Sequence, residues 1–473
     1  MIGEEWVSGS GETFATIDPA TGNVTAHYSA AGEAEVEAAV AAGRRALADP
    51  RWAALKPHER AALLYRFGAL IDERAEVLAE AQMRNNGKTL AECRAQAASA
   101  AGVFRYYAAV CETTGAEIAP ARGPSLTMTV HEPAGVVVAI TPWNSPLTLE
   151  AQKLAPILAA GNAVILKSSE ITPAVGLEYA RIAIDAGFPP GVVGVLLGDR
   201  SVGTLLIAHP GVDMISFTGG TAAGRSIAEA AGRRLVPLIA ELGGKSPNMV
   251  FADADLAAAA RGAAYGIFSS GGQSCIAGSR IFVERSAFDS FLRLLIEQAA
   301  AYRMGMPTDP RATLGPMATF HHREHVRKVV AEAVATGGRL VVGGEVPTVG
   351  ALAHGAFYPA TIITDVSNRS GLCQNEVFGP VAAVLPFDGE SDLIEQANDS
   401  VFGLAAGVWT GDYRKAWRVA RAVKAGTVWI NTYKELSISA PFGGFKDSGV
   451  GREKGLQGMR IYTQSKSLLW QMN

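Results

Sequence analysis

Cys275 closes the glycine-rich segment Gly271-Gly272-Gln273-Ser274-Cys275, and Glu241 stands 34 residues before it, just ahead of Gly243-Gly244. A cysteine inside a protein is most often a small apolar side chain. As a thiolate it is a nucleophile for carbonyl carbon. Glu241 sits between Leu238-Ile239-Ala240 and Leu242. Such surroundings disfavour the charged carboxylate and raise its pKa toward neutrality. Pro142-Trp143-Asn144 follows the apolar run Val136 to Ile140, which places it at the C-terminal end of a strand, where ligands gather in open α/β sheets. His321 and His325 share one helix face, as metal ligands can. They lack the H-E-x-x-H order and sit among Arg323, Arg327 and Lys328, so they read as a solvated helix start and no metal is expected. The basic pairs Arg44-Arg45 and Arg233-Arg234 read as solvated surface or helix C-terminal charges.

The elements that must position these groups alternate along the chain. Helical spacing covers Ala34 to Ala48, Pro57 to Asn85 and Thr89 to Val110. A turn at Arg122-Gly123-Pro124 precedes a period-two strand, Leu126 to Val130. From Gly135 the texture is strand, loop, helix, repeated. Strands are expected at Val136 to Ile140, Ala163 to Lys167, Val192 to Leu197, Met214 to Phe217 and Pro237 to Ala240. One helix follows the loop Thr141 to Pro146 and runs to Ala160, and another, behind Thr172-Pro173, ends at Gly187. After Gly243-Gly244 a helix is expected over Asp253 to Ser270. Further strands are expected at Arg280 to Glu284, Ala360 to Thr364, Val381 to Phe387, Gly407 to Thr410 and Thr427 to Asn431. Apolar strands alternating with helices imply parallel sheets covered on both faces. Ile461 to Trp470 reads as an exposed strand that needs a cover.

The whole composition narrows the function. The 473 residues suffice for two to four domains, and 48% are apolar. Lys plus Arg number 42 and Asp plus Glu 45, a net charge of −3, which excludes the basic excess of a nucleic-acid binder. Cys93, Cys111, Cys275 and Cys373 are far apart with no C-x-x-C pair, so neither a disulfide scaffold nor a local zinc site is expected. No apolar leader and no run of about 18 apolar residues are visible. The expectation is a cytoplasmic enzyme or binding protein without a membrane span.

Six segments, in order, carry a resemblance: Pro142-Trp143-Asn144, Phe217-Thr218-Gly219-Gly220-Thr221 to Gly224, Glu241-Leu242-Gly243-Gly244-Lys245, Gly272-Gln273-Ser274-Cys275, Asn375-Glu376-Val377-Phe378-Gly379-Pro380, and Pro441-Phe442-Gly443-Gly444-Phe445-Lys446 through Gly451-Arg452-Glu453. With the spacing of Glu241 and Cys275, the chain closely resembles the NAD(P)-dependent aldehyde dehydrogenase superfamily over nearly its whole length. The resemblance implies that Cys275 attacks the aldehyde carbon. Asn144 and the Cys275 backbone N–H would hold the oxyanion, and Glu241 would activate the water that hydrolyses the thioester. It matches Lys153 and Glu453 to a proton relay behind that base. It places Trp143, Lys167, Ser169, Glu170, Thr218, Gly219, Gly220, Gly224, Leu242, Glu376 and Phe378 on the cofactor. Lys167 and Glu170 would meet the adenosine ribose, and Glu376 and Phe378 the nicotinamide ribose and ring. Ser168 departs from the proline usual there. NAD is expected over NADP, because Glu170 would accept from a 2′-hydroxyl and repel a 2′-phosphate, with Lys167 partly offsetting that charge; NADP stays possible.

The same resemblance implies an α/β fold of two doubly wound parallel-sheet domains, one Rossmann-like. Residues 1–114 and 134–243 would bind cofactor, and 244–447 would form the catalytic domain. Residues 115–133 and 448–473 would form a small β oligomerisation element that builds a homodimer or homotetramer. The substrate pocket would use Ser145, Gln152, Ser274, Ile276, Lys434 and Phe442. Many relatives that oxidise apolar aldehydes carry aromatics on the helix after Asn144, where this chain has Ser145 and Gln152. A polar aldehyde is therefore expected, and Lys434 could pair an acid group on it. The alternatives are a CoA-acylating dehydrogenase, against which Glu241 argues, and a non-catalytic binding protein on the same fold.

Overall fold

The computed structural model describes residues 1–120 and 123–472; Arg122 of the expected turn lies outside them. Five parallel strands form the first sheet: β1 (Val136–Ile140), β2 (Ala163–Lys167), β3 (Val193–Leu196), β4 (Met214–Thr218) and β5 (Leu238–Glu241). Every residue of β1, β2 and β4 is buried, which is why these strands read as continuous apolar runs. Alternation still sorts their side chains. Val137 and Ala139 join the apolar cluster on one face, while Val136, Val138 and Ile140 join the other. At roughly 1.5–3 kcal/mol for each large apolar side chain buried, both faces anchor β1 at the centre of the sheet.

The second sheet holds β6 (Pro247–Val250), β7 (Arg280–Glu284), β8 (Arg339–Val342), β9 (Thr361–Thr364), β10 (Val381–Phe387), β11 (Ala405–Trp409) and β12 (Thr427–Ile430), in the spatial order β8-β9-β10-β7-β6-β11-β12. The chain then returns to the first sheet as β13 (Gly449–Val450), giving the order β13-β5-β4-β1-β2-β3. Each sheet carries one antiparallel edge, β13 against β5 and β8 against β9, so the sheets are mixed where purely parallel ones were expected. Both edge strands are short and partly exposed, which removes the long apolar run that marks a strand in sequence. In the first sheet the connections run outward from β1 to β2 and β3, then reverse to β4 and β5. The crevice between the ends of β1 and β4 is therefore its topological switch point.

Four helices matter for the site: α1 (Leu90–Thr113), α2 (Pro146–Ala159), α3 (Thr221–Arg234) and α4 (Leu256–Phe268). The helix expected over Pro57 to Asn85 is two helices, Pro57–Glu73 and Ala75–Asn86. Arg74 leaves helical geometry between them, a one-residue joint that does not disturb the apolar spacing. The stretch expected as one helix to Ser270 ends at Phe268 and continues as a 3-10 turn, Ser269–Gly272. The terminal strand, Thr463–Gln471, is not unpaired. It runs antiparallel to Ser125–Pro133 of the same chain, from Thr463 opposite Pro133 to Gln471 opposite Ser125. Its other edge stays open and exposes Leu469 and Trp470. A hairpin of Thr13–Ile17 and Val24–Ser29 was not foreseen from the sequence. No helix among the described residues is long and apolar enough to cross a membrane.

Candidate active site

Two loops from different sheets meet at the switch point. The first follows β1. Asn86 Nδ2 donates to the carbonyl oxygens of Trp143 and Asn144 at 3.0 and 3.3 Å, which fixes the backbone there. Asn144 Nδ2 then donates to the carbonyl of Gln273 at 3.0 Å and ties this loop to the cysteine loop. One amide hydrogen is used so, and the other has no acceptor among the described residues.

The cysteine loop is held in a costly backbone form. Ser270 and Gly271 have φ of 57° and 61°, and Gly272 follows at 67°. A Cβ on Gly272 would strike the backbone of Gly379 and Pro380, so only glycine fits. Glu92 fixes the non-glycine member: its Oε1 accepts from the Ser270 N–H at 2.7 Å. Its Oε2 serves the capping box of α1, accepting from Thr89. Gln273 Oε1 accepts from the Ala318 N–H at 2.8 Å. Four of the eight non-glycine residues with positive φ among the described residues stand at this site: Ser270, Phe378, Lys434 and Lys454. Strain of about 1–3 kcal/mol each gathers where side chains are aimed for function.

Cys275 and Asn144 form the wall shared by two cavities. One, of about 430 Å³, is lined by all six residues assigned to the substrate: Ser145, Gln152, Ser274, Ile276, Lys434 and Phe442. The other, of about 310 Å³, is lined by Trp143, Thr218, Gly219, Gly220, Leu242, Glu376 and Phe378. His322 also lines it, a residue that sequence reasoning passed over in favour of its neighbours His321 and His325. The His322 ring lies edge-on to Trp143 at 5.5 Å, and its Nε2 bonds the Phe378 carbonyl at 2.8 Å. Burial lowers its pKa, so the ring is neutral and Nε2 carries the donated hydrogen. Among the described residues no group of His, Cys, Asp and Glu could hold a metal ion.

The second cavity suits a dinucleotide. α3 begins at Gly220, which has no side chain to cap the helix, and a Cβ there would meet nothing within 4 Å. Its first N–H groups thus face open space, a ready site for a diphosphate. Thr218 Oγ1 and Thr221 Oγ1 are buried without a partner among the described residues. Gly224 lets α3 sit on Leu242, whose side chain a Cβ would strike. Glu376 Oε1 accepts from the Gly244 N–H at 3.0 Å, and burial raises its pKa. Lys167, Ser169 and Glu170 stand apart, at the end of β2. Lys167 Nζ lies 3.4 Å from Glu170 Oε2, and Glu170 faces a separate cleft of about 950 Å³ with Asp199 and Arg200. Ser168, where proline was usual, is fully buried against Gly176.

Glu241 lines neither cavity. Its carboxyl group is buried beside Gly443, and both oxygens lack a hydrogen bond among the described residues. Burial and the charge of Glu453 hold its pKa well above the carboxylate range, against the pull of Lys153, Arg452 and Lys454. Lys153 Nζ donates to Glu453 Oε1 at 2.7 Å and to Ser216 Oγ at 2.9 Å, and that hydroxyl shares a 2.8 Å bond with Tyr462 OH. Burial, then the charges of Glu376 and Glu241, push the Cys275 thiol up to about 12, with Lys434 opposing them. Lys454, also missed in the sequence, lies over the Phe442 ring at 4.8 Å and lines the substrate cavity.

Comparison with known proteins agrees with this geometry. The aldehyde dehydrogenase family matches residues 6–468. A (Z)-2-((N-methylformamido)methylene)-5-hydroxybutyrolactone dehydrogenase of Acinetobacter baylyi is 41% identical over 464 residues, covering 97% of this chain and 94% of its own. The betaine aldehyde dehydrogenase of Staphylococcus aureus, solved in complex with NAD+, superposes with a TM-score of 0.97 at 37% identity, covering 100% of this chain and 94% of its own. The indole-3-acetaldehyde dehydrogenase AldA of P. syringae, solved with NAD+ and IAA, has a TM-score of 0.97 at 38% identity, covering 99% and 96%. A full-length match of this kind, on a chain whose cysteine and asparagine meet between two cavities, makes the protein a member of the aldehyde dehydrogenase family.

Proposed function

We propose that the protein oxidises an aldehyde to its carboxylic acid with NAD+, through covalent intermediates on Cys275. The observation that carries this reading is the wall formed by Cys275 and Asn144 between a cavity of mixed lining and one that ends at an uncapped helix N-terminus. The relatives solved with NAD+ support the choice of cofactor.

Cys275 gives up its proton to solvent water and its sulfur bonds the aldehyde carbon, placing negative charge on the former carbonyl oxygen. The free hydrogen of Asn144 Nδ2 and the Cys275 backbone N–H stabilise that oxyanion without a full positive charge that would oppose loss of hydride. Bound NAD+ would supply the acceptor for the hydride that leaves this carbon. Trp143, Thr218, Gly219, Gly220, Leu242, Glu376 and Phe378 would hold it beside Cys275. Gly224 lets the helix approach, and Lys167, Ser169 and Glu170 would bind its far ribose. The thioester left on Cys275 is hydrolysed by water that Glu241 deprotonates. For that step the carboxylate leaves its place against Gly443 and faces the sulfur. Its raised pKa makes it a stronger base once ionised. Lys153 and Glu453 pass the proton onward through the contact at 2.7 Å.

Residues 1–114 and 134–243 would form the cofactor-binding unit, and 244–447 the catalytic unit. Residues 115–133 and 448–473 would supply the oligomerisation element, although β13 within that span joins the first sheet. The open edge of Thr463–Gln471, with Leu469 and Trp470 exposed, supports a homodimer or homotetramer that covers it. Mixing the enzyme with NAD+ and a short aldehyde, with and without coenzyme A, tests the reaction. NADH should appear without coenzyme A, together with free acid. A strict requirement for coenzyme A would replace hydrolysis by acyl transfer.

A further inference from the structure

The substrate cavity holds an ammonium group that forms no ion pair among the described residues. Lys434 follows β12 with φ of 61°, and its side chain lines the cavity that Cys275 opens on. Its Nζ donates to Ser269 Oγ at 2.8 Å, and that hydroxyl spends its own hydrogen on the Tyr265 carbonyl at 2.6 Å. Two of the three ammonium hydrogens have no hydrogen-bond acceptor, and no carboxylate lies within ion-pair reach, among the described residues. The carboxylate that borders the cavity, Glu92, is engaged at both oxygens by Ser270 and Thr89. A second ammonium, Lys88, is buried nearby with no partner at all among the described residues. Burial and Lys88 push Lys434 down to about 7, and the more distant pull of Glu92 and Cys275 does not offset them. The rest of the lining, including Gln96, Ser99, Thr148 and Gln152, offers hydroxyl and amide groups to a polar chain.

We propose that the cavity recognises an aldehyde that carries a carboxylate, a short ω-oxo acid, with Lys434 as the specificity-determining residue that pairs the acid group while Cys275 meets the aldehyde carbon. A carboxylate–ammonium contact in this half-buried site supplies acceptors for the free hydrogens and a direct partner for the charge. The inference rests on the reading of Cys275 as the nucleophile. A rival role exists for the same lysine, which also pulls the Cys275 thiol toward its ionised form. The two roles separate in experiment.

Alkylation of Cys275 in the cofactor-free enzyme by iodoacetate and by iodoacetamide decides between them, because the reagents differ in charge and react at the same carbon. The ratio of the iodoacetate rate to the iodoacetamide rate, read by mass spectrometry at Cys275, should fall about 10- to 100-fold in Lys434→Met and stay near wild type in Lys434→Arg. Equal loss of both rates would show that Lys434 acts on the thiol alone, and an unchanged ratio that it does not see the anion; either overturns the proposal. In the unaltered enzyme, succinate should protect Cys275 from iodoacetamide where succinamide does not, and equal protection by the two also overturns it. With NAD+ present, 4-oxobutanoate should be oxidised with at least about tenfold higher kcat/KM than its neutral isostere 4-oxopentanal. Failure to oxidise either aldehyde would refute the dehydrogenase reading, while the alkylation ratio still reports on recognition.

Discussion

The two cavities that meet at Cys275 are built in opposite ways. The cofactor side is made from the ends of regular elements: the loop after β1, the loop after β4 and the first turn of α3. Its requirements are backbone requirements, for an uncapped helix start and for glycines where side chains would collide. The substrate side is made from single side chains on α1, α2, α4 and the loops around Cys275, Lys434 and Phe442. Three of those side chains are aimed by left-handed non-glycine residues, Ser270, Lys434 and Lys454. The cofactor side adds the side chains of Trp143, Glu376 and Phe378 to its backbone frame. A side-chain-built site can change its ligand by exchanging residues while the backbone frame stays in place.

This contrast is sharpest at the shared wall. Cys275→Ala should remove turnover by roughly 10⁴-fold or more, because the nucleophile and the covalent intermediates vanish together. NAD+ affinity, measured by calorimetry, should persist, since the cofactor side is held by backbone. The corresponding changes at Cys93, Cys111 and Cys373, all buried away from the cavities, should leave chemistry intact. Aldehyde oxidation by the alanine variant would move the nucleophile elsewhere.

Glu241→Gln should come next, lowering steady-state turnover by about 10²–10⁴-fold. A glutamine amide takes no proton from water, so the acyl group should accumulate on Cys275 and appear in intact-protein mass spectra. Rapid mixing should show an NADH burst approaching one per site, then little more. The pH dependence should differ too. Burial and Glu453 raise the Glu241 pKa, so hydrolysis in the wild type should climb with pH as this carboxyl ionises, and the variant should lose that limb. Loss of the burst as well would give Glu241 a part in deprotonating the thiol.

On the cofactor side the effect should be smaller. Glu170 is nearly half exposed and its contact with Lys167 is long, 3.4 Å. Repulsion of a 2′-phosphate there is weakened by solvent and by the lysine. Glu170→Gln should shift the NAD+ to NADP+ ratio of kcat/KM by only about tenfold or less toward NADP+. An unchanged ratio would mean that Glu170 faces only the surface cleft it lines.

The same contrast explains what was legible in the sequence. The strands of the first sheet were readable because burial on both faces writes an unbroken apolar run, and Gly219 and Gly224 mark places where a Cβ would strike the Phe217 and Leu242 side chains. β8, β13 and the hairpin at Thr13–Ile17 were not, since short edge strands carry polar and exposed residues. Resemblance located Lys434 and Gln152, yet nothing in the sequence shows that Lys434 forms no ion pair among the described residues. Glu92 is instructive. Thr89-x-x-Glu92 reads as a helix start, but its hold on Ser270, 178 residues away, has no local signature. His322 was passed over because helix spacing drew attention to the residues on either side of it.

The least visible change should be one in the packing behind the cofactor side. Glu150 on α2 is fully buried, accepting from Thr141 Oγ1 at 3.3 Å, with its other oxygen unpaired among the described residues and Ser168 and Gly176 close by. Burial raises its pKa to about 8, so the folded protein holds this carboxyl neutral at pH 7 while an unfolded chain would ionise it near the ordinary value of about 4.3. The folded state then binds the extra proton, and the stability it contributes is full below the unfolded pKa. It falls as pH rises from there to about 8 and levels off beyond. Glu150→Gln keeps the shape and cannot ionise, and its amide can donate to Ser168 Oγ. Turnover should not change, because Glu150 touches neither cavity. The thermal midpoint should tell the two proteins apart by pH alone: similar near pH 5, with the glutamine variant gaining on the wild type up to about pH 8. A difference that stays constant across this range would mean that Glu150 ionises within the fold, and the backbone-built side would then contain a buried charge that its neighbours must answer.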